Sequence, residues 1–147
     1  MLKNLISFIF LDKEIKNDVA FLKLIDTFKM FTQVELKKIT TVLYKRIYLK
    51  NEYIYKKGEP AKIVYLLKSG KVELSDGKTK NIVEPNTMFG ERSLLCASDV
   101  YLKDAKSVEK SELYMIHKED LESLMEREPG IGYKIIKVLL ENLYDKA

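Results

Sequence analysis

A mainly β domain with helices at both ends is the fold class this sequence predicts, and three observations carry it. Between Arg46 and Ile116 the chain breaks into short segments rich in Ile, Val, Tyr and Leu, residues that suit a pleated, half-buried surface. Turn signals separate them: Lys57-Gly58, Ser69-Gly70, Asp76-Gly77 and Pro85-Asn86. On either side of this span the apolar residues recur at helical spacing instead. Short strands so punctuated predict a small antiparallel barrel or jelly roll.

At the start, Met1 to Leu11 is mostly apolar, yet too short to span a bilayer and followed by Asp12-Lys13-Glu14 rather than a small-residue cleavage pattern. It is expected to form a short helix, part of a helical extension over residues 1–20, that packs on the domain or on a partner. The domain proper is expected over 21–147. Thr32-Gln33-Val34-Glu35 has the spacing of a capping box, so a helix should begin there, with Leu36, Ile39, Val42 and Leu43 on one face.

Within the β region, Ile63, Tyr65, Leu67, Val72 and Leu74 alternate in two runs and are expected to be the main buried positions of two neighbouring strands. Asp76-Gly77 favours a tight hairpin of the type I′ kind. After Ile116 the helical period returns, with Leu121, Leu124 and Met125 sharing a face before Glu128-Pro129-Gly130 interrupts. Pro129 suits the first turn of a last helix. That helix carries Ile131, Ile135, Val138 and Leu139 on one side and Ile136, Leu140 and Leu143 on the adjoining side. So broad an apolar surface can cover the barrel and still meet a second chain.

The 147 residues suit one domain, and 46% hydrophobic with 33% charged residues is ordinary for a globular protein. The net charge of +4 comes from scattered lysines, which argues against a concentrated DNA-reading element. A single cysteine, Cys96, excludes an internal disulfide and makes the cytoplasm the expected location. It reads as a packed small hydrophobe. The single histidine, His117, leaves neither a histidine cluster for a metal nor a nucleophilic triad.

Four motifs in order point to a family. Ile54 to Leu74, with its Gly58-Glu59 and Ser69-Gly70 turns, comes first. Phe89-Gly90-Glu91-Arg92-Ser93-Leu94-Leu95 is the second, Ser111 to Ile116 the third, and Asp120-Leu121 with Glu128-Pro129 the fourth. Together they resemble the cyclic nucleotide-binding domain family, of the catabolite activator protein and protein kinase A regulatory subunit type, over about Phe21 to Leu143.

The resemblance implies an eight-stranded β-roll, a non-enzymatic sensor of cyclic AMP or cyclic GMP with no other cofactor, and a homodimer formed through the last helix. It places the ligand against Phe89, Gly90, Glu91, Arg92 and Ser93. Glu91 would accept from the ribose 2′-hydroxyl, and a short helix would aim N–H groups at the cyclic phosphate. Bacterial transcription factors of this family continue into a winged DNA-binding domain, and this sequence, ending at Ala147, is expected to act without one and without a membrane.

Where the family's cassette closes on an arginine, this chain has Lys103-Asp104-Ala105-Lys106-Ser107-Val108. Counted back from Ser107-Val108, the arginine position falls on Asp104, a carboxylate that would repel a phosphate. Lys103 and Lys106 are the candidate substitutes, with Ser107 completing the closure. Weak or absent cyclic AMP binding is therefore expected. Two alternatives stand beside the sensor: a scaffold or dimerisation module of the same fold that has lost its ligand, and a cupin-type enzyme, which would need more histidines. A protein partner is a further expectation. Tyr101 and Tyr133 are candidates to stack on a base, with core or rim packing as the plainer role.

Overall fold

The computed structural model describes residues 2–94 and 100–145. Helix α1 (Leu2–Lys23) leads through a 3-10 turn at Asp26–Phe28 to α2 (Gln33–Thr40). Eight strands follow: β1 (Leu43–Tyr48), β2 (Tyr53–Tyr55), β3 (Ile63–Ser69), β4 (Val72–Ser75), β5 (Lys80–Val83), β6 (Thr87–Phe89), β7 (Asp104–Ser107) and β8 (Ser111–His117). A second 3-10 turn, Glu91–Leu94, lies after β6, and α3 (Lys118–Arg127) and α4 (Pro129–Asp145) close the chain. The strands form two four-stranded sheets in the orders β1-β8-β3-β6 and β2-β7-β4-β5. Every pairing between them is antiparallel. The expected β-roll with helices at both ends is what the chain adopts.

The capping box forms as read: Thr32 Oγ1 accepts from the Glu35 N–H at 3.2 Å while Glu35 Oε1 accepts from the Thr32 N–H at 2.9 Å. The helix ends before Val42 and Leu43, earlier than the apolar stripe suggests. Thr40 and Thr41 turn their hydroxyls back onto the carbonyls of Lys37 and Lys38 at 2.6 Å each, giving the backbone an exit. Leu43 consequently starts β1. Asp76-Gly77 also departs from a two-residue hairpin, because Asp76 Oδ1 captures the N–H groups of Lys78 and Thr79 at 2.9 and 2.8 Å and widens the loop to four residues between Ser75 and Lys80.

Two apolar cores share the first sheet. Between the sheets lie Tyr48, Tyr55, Tyr65, Leu67, Val72, Phe89, Tyr101 and Leu113. On the other face of the first sheet, Leu66, Tyr114 and Ile116 meet Val19 and Leu22 of α1, Leu36 and Ile39 of α2, Leu121 and Leu124 of α3, and Ile131, Ile135 and Leu139 of α4. Of the five expected core positions, Tyr65, Leu67 and Val72 are buried and Ile63 and Leu74 half-buried. Val64 and Leu66, in the same strand, are also fully buried. β3 is covered on both faces, so its inward and outward side chains are equally apolar.

Gly70 shows why one turn demands glycine. Its φ is +96°, and a Cβ there would lie 2.2 Å from Ser111 Oγ, so strain and collision act together.

Candidate ligand-binding cleft

A cleft of about 640 Å3 opens where β6 and the 3-10 turn Glu91–Leu94 face the loop before β7. Its floor is aromatic: the rings of Tyr55 and Tyr101 stack at 3.7 Å, and Phe89 stacks on Tyr65 at 5.3 Å. Tyr101 is pinned by its hydroxyl, which donates to the Ile63 carbonyl at 2.7 Å and accepts from the Ile63 N–H at 3.2 Å. It thus takes the plainer of its two expected roles, as part of the packed wall. Burial pushes the Tyr55 hydroxyl above its ordinary range, with Tyr101 and then Glu91 adding to the shift. These hydroxyls are neutral at any physiological pH.

Gly90 and Glu91 sit on the cleft wall. Gly90 has φ +79°, and a Cβ there would stand 3.4 Å from the Ile63 carbonyl oxygen. Only glycine holds this left-handed bend without strain, and the bend turns the chain from β6 into the wall that carries Glu91. Phe89 contributes its buried ring. The backbones of Arg92 and Ser93 complete the 3-10 turn, while their side chains lie outside the described residues, as does Cys96. Among the described residues this turn is four residues long, and the remainder of the cassette helix that the resemblance implies, with Cys96, lies outside the described residues.

Lys103 also lines the cleft. Its Nζ donates to Asn81 Oδ1 at 3.3 Å. Asp76 is close by: its carboxyl is held down to about 2, first by the N–H groups of Thr79 and Lys78, with the Lys103 charge a smaller contributor. Among the described residues, Asp76, Glu84 and Glu91 supply three carboxylates to the lining against the one ammonium of Lys103.

The remaining candidates are not brought together with these. Lys106 stands on β7 paired with Tyr53 and Glu73, its Nζ 5.7 Å from the Tyr53 ring. Ser107 is fully buried, its hydroxyl donating to the Glu109 carbonyl and lying 3.0 Å from Ser111 Oγ in a polar knot that ties the β7–β8 turn. Asp104 needs a correction. Ala105 and Ser107 point inward on β7, so the alternation sends Asp104 to the other face. There its Oδ1 accepts from the Lys57 N–H at 2.7 Å, and it does not line the cleft. The residues of this region that do are Val100, Tyr101, Leu102 and Lys103, one step earlier in the chain. Counting back from Ser107-Val108 placed the closure on the strand, whereas the wall is the loop that precedes it. Asn81, Asp76 and Glu84 escaped the sequence reading, because only the β4–β5 pairing carries them to the cleft.

His117 packs edge-on against Tyr44 at 5.1 Å, and among the described residues no group of three His, Cys, Asp or Glu side chains is placed to hold a metal.

Residues 45–128, more than half of the chain, match the family model described as the cyclic nucleotide-binding domain. The chain belongs to that family. It is 30% identical over 114 residues to the anaerobic regulatory protein of Bacillus subtilis, covering 74% of this chain and 47% of that protein. To the cyclic AMP receptor protein of Thermus thermophilus it is 30% identical over 105 residues, covering 67% and 48%. It therefore spans about half the length of these curated relatives. Among solved structures, the regulatory domain of Toxoplasma gondii PKA crystallised with cAMP superposes with a TM-score of 0.76 at 15% identity, covering 91% of this chain and 51% of that one. That likeness is one of fold. The cyclic nucleotide-binding fold supports a ligand-sensing, regulatory role for this domain.

Proposed function

We propose that this domain is a non-enzymatic sensor whose cleft takes a cyclic nucleotide weakly. In this reading Glu91 accepts from the ribose 2′-hydroxyl and Lys103, in place of the family's arginine, faces the cyclic phosphate. The observation that carries it is that Gly90, Glu91 and Lys103 line one cleft. A lysine presents a point charge rather than a planar fork, and losing one of two charge-assisted bonds costs about 1.5–3 kcal/mol. The other described carboxylates of the lining, Asp76 and Glu84, oppose the anion further. The dissociation constant for cyclic AMP is then expected well above the low micromolar range. Titration calorimetry with cyclic AMP and cyclic GMP tests this. Measurable heat that Glu91→Ala abolishes supports the sensor, and submicromolar affinity surviving Lys103→Ala refutes the assignment.

The alternative is a dimerisation module without a ligand, favoured by α4. Ile131, Ile135 and Leu139 are buried against the domain, while Tyr133, Ile136 and Leu140 are exposed. A second copy on that stripe is the expected homodimer, readable by sedimentation. No heat with either nucleotide, together with a dimer lost on Ile136→Glu, favours this alternative.

A further inference from the structure

Among the described residues nothing covers the N-terminal half of α1. Leu5, Ile6, Phe8, Ile9, Phe10 and Leu11 are each 54–74% exposed. At ~150–250 Å2 for a large side chain they leave several hundred Å2 of apolar surface around the helix, of the order of the ~800 Å2 that each partner gives to a stable protein–protein interface.

This half continues a helix that is anchored at its other end. The other half of the same helix is anchored by Val19 and Leu22 in the core. A buried carboxylate clamps it: Asp18 Oδ1 accepts from the Tyr114 hydroxyl at 2.8 Å and pairs with Lys45 Nζ at 3.0 Å, and Lys45 Nζ also donates to Glu14 at 2.8 Å. Phe8 and Leu11 continue, at helical spacing, the side that packs as Ile15, Val19 and Leu22. Ile6, Ile9 and Phe10 occupy the opposite side, and Leu5 lies between the two. Cover is thus needed on two sides at once.

A membrane surface fits poorly. A helix lying in the interface needs a polar face opposite its apolar one, and here both sides are apolar. The eight residues from Asn4 to Leu11 rise ~12 Å, against ~30 Å of hydrocarbon, and upright entry would sink Lys3. Among the described residues no helix is long and apolar enough to cross a membrane. A second copy supplies both an apolar helix and a protein flank, and a two-fold contact doubles the area covered.

We propose that the N-terminal half of α1 is a self-association surface that pairs with the same segment of a second copy. It is separate from the exposed stripe of α4. The test uses the full chain, with sedimentation velocity over a concentration series and circular dichroism to verify folding. In an Ile136→Glu/Leu140→Glu background, which removes any contact through α4, a dimer is expected to persist. Adding Ile6→Glu/Phe10→Glu should raise its dissociation constant at least tenfold and leave monomer. Equal association with and without the α1 substitutions overturns the proposal, whatever α4 does. Co-sedimentation with phosphatidylcholine–phosphatidylglycerol vesicles, lost on Ile6→Glu/Phe10→Glu while the protein in solution is monomeric, overturns it in favour of lipid.

Discussion

The two faces of the β1-β8-β3-β6 sheet contrast in how they are finished. The face toward the helices is sealed, by side chains from α1, α2, α3 and α4 packed on Leu66, Tyr114 and Ile116, and its polar groups are matched: the Asp18 carboxylate meets both the Tyr114 hydroxyl and Lys45. The face toward the second sheet is packed only part of the way and then opens into the cleft, where Lys103 and three carboxylates stand at the border. One sheet thus serves as a foundation on one side and a receptor wall on the other. Stability should reside in the first region and ligand response in the second.

Substitutions in the sealed region should show this most strongly. Leu66→Ala, at a fully buried position, is expected to lower unfolding free energy by about 2–5 kcal/mol in urea titrations. A loss under 1 kcal/mol would mean that the helices do not form one core with the sheet. Gly70→Ala probes the crossing between the two sheets, since it adds a collision with Ser111 to an unfavourable φ. It should cost roughly 1–3 kcal/mol.

Cleft substitutions should separate the two properties. Lys103→Ala should weaken any nucleotide binding by about tenfold, which corresponds to ~1.4 kcal/mol, while the unfolding midpoint stays within error. Asp104→Arg should leave affinity within about twofold, because that side chain faces away. If Asp104→Arg instead restores tight binding, the outward placement of this residue is wrong.

Smaller effects sharpen the helical side. Thr32→Ala removes the cap of α2 and should cost about 1 kcal/mol. Glu35 joins α2 to α4 through Lys134 Nζ at 2.6 Å, and first this bond, then the Thr32 N–H, holds its carboxyl below the ordinary 4.5. A folded-state value below the unfolded one stabilises fully above about pH 4.5 and fades as acid protonates the folded carboxylate. The destabilisation by Glu35→Gln, expected near 0.5 kcal/mol, should be present at pH 6 and shrink toward pH 3.

Much was legible in the amino-acid order because it depends on neighbours along the chain. The Thr32–Glu35 box, Pro129 at the start of α4, and the glycine turns at Gly58, Gly70 and Gly90 are local devices whose spacing alone implies the geometry. The alternating apolar runs and turn signals likewise pointed to a small antiparallel barrel or jelly roll, which the family resemblance narrowed to the β-roll. What only the tertiary structure decided was anything set by register between distant segments. Asp104 and Lys103 are adjacent, and the pleat of β7 sends one outward while the preceding loop turns the other to the cleft. Asn81, Asp76 and Glu84 reach that cleft by strand pairing. Val64 and Leu66 are buried because helices cover the outer face of β3, and Leu5 to Leu11 stay exposed because no described segment packs on that half of α1. A period reports which residues share a side, but what lies against that side depends on contacts far apart in sequence.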